Sequence, residues 1–184
     1  SVPMEIITDE SLAENGFRWR EKNGVKVLVC SMLEEAGFTN GFSTRLGGVS
    51  PFPENSLSLS GFDNDTIENI AENRRRFLNV FEGDWKFATC WQVHSTDIRT
   101  VTNESDIASD EEKCDGIISQ MRGVLAGVKT ADCVPVLLGD VVTGAFAAVH
   151  AGWRGTVQSI VPIAIEKMRE TFNTRPEDII AAIG

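Results

Sequence analysis

The sequence is short of several things, and each shortage removes a class of function. No apolar run approaches the roughly 18 residues that a membrane-spanning helix needs. The N-terminus carries no secretory-signal pattern, so a cytoplasmic protein without a membrane partner is expected. No run of lysine or arginine offsets a net charge of −10, which disfavours a nucleic-acid partner. Cysteine is sparse: Cys30, Cys90, Cys114 and Cys133 form no CxxC pair and no dense framework, which fits a reducing compartment. Histidine is scarcer still, with His94 and His150 alone. There is no internal repeat, low-complexity tract or domain linker. What is left is ordinary for a globular chain: 184 residues, 42% hydrophobic and 24% charged, enough for one domain with a real core.

The most informative stretch is Thr130 to Gly155, TADCVPVLLGDVVTGAFAAVHAGWRG. Two apolar runs, VPVLL and AFAAVH, flank a polar centre, GDVVTG, in the pattern of strand, turn and strand. A turn centred between Val141 and Val142 sets Gly139 opposite Gly144 and Cys133 opposite His150. Opposed side chains of an antiparallel pair have Cβ atoms about 4.5–5.5 Å apart, close enough for a thiolate and an imidazole to share one metal ion. Beyond His150, Val157, Ile160, Val161, Ala164, Ile165, Met168 and Phe172 recur at helical spacing. Thr156 is a reasonable N-cap, and Pro162 predicts either a start at Ser159 or a bend. Gly152 and Gly155 loosen the entry to this helix, where free N–H groups and Arg154 suit an anion. An ordinary tight connection with a surface arginine accounts for the same residues.

Earlier in the chain, FRWREKNGVKVLVC predicts a hairpin across Lys22-Asn23-Gly24. Ser31 to Gly37 reads as a short helix. GFTNGFSTRLGGVSPFPENSLSLSGF is too turn-prone for a helix, and a loop of this length in a compact domain is usually functional or disordered. It carries Arg45 beside Gly47 and Gly48, where a backbone approaches a ligand easily; a solvent-facing arginine is the plainer alternative. Asp65 to Phe81 predicts a helix with Asp65 and Glu68 as a capping box, and Arg74-Arg75-Arg76 largely as a solvated, ion-paired face. KFATCWQVHSTDIRTV predicts a strand with Ala88, Cys90, Gln92 and His94 on one face, so that Gln92 orients His94. An acidic loop, Asn103 to Lys113, precedes two further short strands in CDGIIS and GVLAGVKTADC. Strands outnumber the interspersed helices, so the expected class is α+β: a single layered domain, residues 1–184, with a central mixed sheet flanked by helices.

Taken together, GFSTRLGGVSPFPENSLSLS, AENRRRFL, WQVHSTDI, CDGIIS, TADCVPVLLGD and AAVHAGWRGTVQSIV resemble, in this order, successive blocks of the bacterial multicopper polyphenol oxidoreductase (laccase-like) family, better described as zinc-dependent purine nucleoside phosphorylases. The resemblance runs from about Gly41 to Gly184. It implies a zinc site, with copper possible, made by His94 of QVHS, Cys133 of ADCVP and His150 of VHAGW, which are then also the catalytic residues. It implies small-molecule partners: phosphate cleaving adenosine, inosine and 5′-methylthioadenosine, with adenosine deamination beside it. Arg45 of FSTR and Arg154 of GWRG match positions near the substrate, and Asp132 is a candidate for handling a proton on the leaving base. Three N/S ligands with one open position is a catalytic zinc geometry. Copper oxidation of phenols is the alternative, although a trinuclear copper cluster needs many more histidines than two; a non-catalytic metal-binding protein is a third reading. Cys30, Cys90 and Cys114 are expected to be packing residues. Ser58 stands where the family often has Asn. The family usually continues for some tens of residues past AAIG, so IIAAIG is expected to be a strand that wants neighbours, and the domain to be C-terminally incomplete.

Overall fold

A computed structural model of the chain describes residues 8–51, 53–59, 65–107, 112–129, 134–152 and 154–184, leaving the side chains of 154–158 aside. The fold class is α+β, and the chain divides into two compact units: residues up to Glu35 with Thr39–Glu82, and Ala36–Phe38 with Gly83–Gly184.

In the first unit, helix α1 (Asp9–Glu14) leads into the hairpin of β1 (Phe17–Lys22) and β2 (Val25–Cys30), which pairs Lys22 with Val25. Asn23 and Gly24 both have positive φ, 51° and 81°, the conformation a two-residue hairpin turn demands. The predicted hairpin is therefore present. Val25, Val27 and Val29 bury one face of β2, which pairs on its other edge with β3 (Phe42–Ser43); α2 (Ser31–Glu35) lies between them in sequence. Helix α3 (Ile67–Leu78) is shorter than expected, because Thr66 rather than Asp65 is its N-cap and accepts from the Asn69 N–H at 3.1 Å. Asp65 instead accepts from Ser50 Oγ and Asn69 Nδ2. Arg75 and Arg76 both pair with Glu72, as a solvated face would, whereas Arg74 Nε donates to the Leu59 carbonyl at 3.1 Å. Arg45 is exposed in this unit, and its carbonyl accepts from the Leu57 N–H at 2.9 Å.

The second unit is built on a five-stranded mixed sheet. Its strands are β5 (Ile98–Val101), β6 (Gly116–Ser119), β8 (Val134–Asp140), β9 (Phe146–Ala151) and β10 (Ile179–Ile183), in the order β10-β8-β9-β6-β5. β5 and β6 are parallel and the other neighbours antiparallel. The run IIAAIG thus finds a neighbour in β8, at one end of this order. β4 (Lys86–Ala88) and β7 (Val124–Ala126) form a separate parallel pair, with α4 (Glu104–Ile107) the short helix between β5 and β6. Helix α5 (Arg154–Phe172) lays Ile160, Ala164 and Met168 on the sheet, where they share a core with Val136, Leu138, Ala147 and Val149. It starts at Arg154 rather than Ser159 and runs on through Pro162, which is exposed, where a missing N–H is least costly.

Two expectations about this unit need correction. The predicted strand KFATCWQVHSTDIRTV is two strands, β4 and β5, separated by irregular residues 89–97, so its single alternating face does not exist. The β8–β9 hairpin is present, but its register is displaced: Pro135, not Cys133, stands opposite His150, and Gly139 pairs with Phe146 rather than Gly144. The cause is turn chemistry. The Asp140 carboxylate accepts from Val142 N, Thr143 N and Thr143 Oγ1 at 2.9, 3.2 and 2.6 Å, and Gly144 takes a φ of 78°, which centres the loop one residue later than expected. Moving the centre by one residue moves the register by two, so every side chain keeps its face.

Candidate metal site

The site grows from Asp115, the residue that enters β6. β6 lies between β5 and β9, and a Cβ at its first residue, Gly116, would come within 2.5 Å of Ile98 Cδ1 and 2.8 Å of Val149 Cγ1. Glycine there lets β6 sit tight against β9, and the Asp115 carbonyl accepts the His150 N–H at 2.7 Å. The Asp115 side chain is fully buried and gathers five hydrogen-bond partners, four donors and one ring nitrogen. Oδ1 accepts from Val93 N at 3.0 Å, Ser95 N at 2.8 Å and Ser95 Oγ at 2.9 Å. Oδ2 accepts from His94 N at 3.1 Å and faces His150 Nδ1 at 2.7 Å. Burial acts to raise the carboxyl pKa, but the hydrogen bonds from Ser95, His150 and Val93 outweigh it and hold the group below its ordinary value.

Three consecutive main-chain N–H groups pointing at one carboxylate require a sharp turn, and His94 supplies it with a φ of 58°. This left-handed conformation is uncommon for a residue with a Cβ and is one of the places where backbone strain collects at functional sites. The turn brings the His94 ring to His150, with centroids 5.4 Å apart and planes tilted by 54°. His94 is exposed, whereas His150 is 4% exposed. Gly152 completes the fit: a Cβ there would stand 3.3 Å from His94 Nδ1.

Two of the expected site residues are therefore brought together, His94 and His150. Cys133 and Asp132 lie outside the described residues; for Arg154 only the backbone is described, as the first residue of α5. Arg45 belongs to the other unit. Gln92 does not orient His94 as a strand neighbour. Its amide instead pairs with the main chain of Lys129, donating to the carbonyl at 2.5 Å and accepting from the N–H at 2.7 Å. That clamp holds the chain just before TADC. Cys30, Cys90 and Cys114 are buried free thiols, and the Cys90 thiol is within 3.2 Å of the Cys114 carbonyl. Hydrogen bonding to Cys114 and burial push the Cys90 pKa far up, which keeps it a thiol rather than a metal-binding thiolate.

Among the described residues no group of three or more His, Cys, Asp or Glu side chains is arranged to hold a metal ion. The two imidazoles nevertheless suit a borderline transition metal. Asp115 occupies the Nδ1 side of His150, leaving Nε2 as the nitrogen free to bind, as in carboxylate–histidine–metal arrangements. Asp115 is the residue that sequence reasoning missed. The one signal for it is an acid directly ahead of a mostly apolar strand, in CDGIIS.

Residues 39–184 match the model of the multi-copper polyphenol oxidoreductase laccase family. The chain belongs to this family. A purine nucleoside phosphorylase of Corynebacterium glutamicum is 35% identical over 144 residues, which cover 78% of this chain and 58% of that protein. Purine nucleoside phosphorylase YfiH of Escherichia coli is 33% identical over 161 residues, 86% of this chain and 63% of the relative. Among solved structures, the hypothetical protein YfiH of Bacillus licheniformis superposes with a TM-score of 0.80 at 28% identity, covering 92% of this chain and 64% of the other. The laccase-family chain described here thus spans about six-tenths of the length of the curated relatives it matches. No helix among its described residues is long and apolar enough to cross a membrane.

Proposed function

We propose that this chain carries the metal and nucleoside site of a zinc-dependent purine nucleoside phosphorylase acting on adenosine, inosine and 5′-methylthioadenosine, with adenosine deamination as a second activity. The observation that carries the reading is the meeting of His94 and His150 over one buried carboxylate, in a chain whose relatives are named purine nucleoside phosphorylases. His94, Cys133 and His150 would hold the zinc ion. When bound, it supplies Lewis-acid polarisation of the purine or of water.

The remaining work falls to the chain. Asp115 orients the His150 ring and shapes the turn that presents His94. The first turn of α5 has main-chain N–H groups without helical acceptors, and its first residue is Arg154, four positions after His150. An arginine fork suits phosphate oxygens better than a point charge does. We assign phosphate to that helix start. There its oxygen forms a bond to C1′ as the C1′–N bond breaks, giving ribose 1-phosphate and a base that takes up one proton, for which Asp132 is the candidate donor. Deamination exchanges the adenine amino group for the oxygen of water and releases ammonia. Arg45 is a candidate substrate contact on the strength of its motif. Copper oxidation of phenols, which the family description names, is less well supported, since a multinuclear copper centre needs more imidazoles than two histidines provide.

The test is to incubate the zinc-loaded protein with adenosine over a range of phosphate concentrations and quantify adenine and ribose 1-phosphate. Equal amounts of the two, saturating with phosphate, are expected. Base release that is independent of phosphate, or phenol oxidation without base release, overturns the proposal.

A further inference from the structure

We infer that Asp115 is the positioning residue of this site: it fixes His150 in the tautomer protonated at Nδ1, so that Nε2 keeps its lone pair, and the same carboxylate holds the left-handed turn that presents His94. The inference rests on the reading that His150 binds through Nε2.

Its basis is a count of donors. Three of the five groups around the carboxylate are amide N–H groups, from Val93, His94 and Ser95, which donate and cannot accept. A protonated Asp115 could aim its proton only at His150 Nδ1 or at the serine oxygen that already bonds Oδ1 at 2.9 Å, and the four N–H and O–H donors that converge on its two oxygens favour the ionised form over either. The carboxylate is therefore acceptor-only, and its contact with His150 Nδ1 at 2.7 Å places the hydrogen on that nitrogen. In a neutral imidazole the other nitrogen is then the acceptor. Both effects need the same charged group. Oδ2 alone bridges His94 N and His150 Nδ1, so the turn and the ring cannot be set independently.

An amide at position 115 separates this role from bulk. Of its two orientations, Asp115→Asn would keep oxygen where Oδ1 meets three donors and turn its NH2 toward the Oδ2 position. That NH2 donates, so His150 Nδ1 becomes the acceptor and the ring hydrogen moves to Nε2, occupying the metal-facing nitrogen. Loss of an orienting partner of this kind typically weakens metal affinity by roughly 10–100-fold.

The experiment is 15N-resolved imidazole NMR of the metal-free protein in alkaline buffer, with zinc titrated by competition against a chromophoric chelator. Nδ1–H at His150 is expected in the parent and in Ser95→Ala, with Nε2–H and 10–100-fold weaker zinc in Asp115→Asn. Ser95→Ala loosens the same turn without touching Oδ2, and so controls for a merely structural effect. Nε2–H at His150 in the parent overturns the inference, and this reading stands even where Asp115→Asn fails to fold. An unchanged tautomer with unchanged zinc affinity in a folded Asp115→Asn overturns it too. None of these readouts uses a nucleoside. A correct tautomer in a protein that releases no base would sink the phosphorylase reading and leave this inference standing.

Discussion

His150 stands in a strand bonded on both sides, to β8 and to β6, whereas His94 sits in irregular residues 89–97, whose strand-like pairing among the described residues is the isolated bridge of Trp91 to Lys113. The first imidazole is placed by backbone pairing and burial. The second is placed by a strained turn whose three N–H groups converge on a side chain 20 to 22 residues away in sequence. A site made of one rigid and one tethered imidazole has a consequence. Its geometry depends on the tether more than on the sheet, and the tether is a single buried carboxylate.

The comparison is broken most severely by Asp115→Ala, which removes the tether and leaves without an acceptor those of its five partners that water does not reach. Each such group costs about 1–3 kcal/mol, so a loss of about 3–5 kcal/mol is expected in denaturant titration, with the 93–95 amides exchanging first. A loss below about 1 kcal/mol would mean the turn holds itself. Glycine at each histidine then sharpens the contrast. His150→Gly opens a cavity and takes from Asp115 Oδ2 one of its two partners, at a cost of about 3 kcal/mol, while His94→Gly relieves the positive φ and is neutral or stabilising by up to about 1 kcal/mol. Equal destabilisation by both would contradict the account.

Gln92→Ala comes next. Losing two hydrogen bonds to the Lys129 main chain should cost about 1–2 kcal/mol and speed exchange of the Lys129 amide, leaving the β9 amides protected. Gly152→Ala is the mildest. Its Cβ, 3.3 Å from His94 Nδ1, asks the exposed ring to give by a few tenths of an ångström. Stability should change by less than about 1 kcal/mol, while the His94–His150 spacing read from inter-ring NOEs grows.

These differences track what could be read in the sequence. The hairpin strands, their faces, and the position of His150 near the end of β9 follow from period-two alternation, which is local. The register missed by two because it depends on how Asp140 caps the turn, a side-chain choice that alternation does not encode. The His94 turn was invisible because its cause is a residue 20 to 22 positions on, just ahead of β6, and the place of an aspartate in CDGIIS does not encode full burial. What was legible of the site is that His94 and His150 matter. What was not is that Asp115 joins them, and that Gln92 serves Lys129.

The central claim is one metal ion on two imidazoles and one thiolate. Zinc-edge X-ray absorption of the loaded protein tests it directly, in the parent and in Cys133→Ala. The account predicts one sulfur at about 2.3 Å with nitrogen scatterers at about 2.0–2.1 Å and histidine outer-shell features, and loss of the sulfur shell together with stoichiometric zinc in the variant. A parent spectrum without sulfur, or a Cys133→Ala variant that keeps the parent spectrum and a full zinc equivalent, would contradict it.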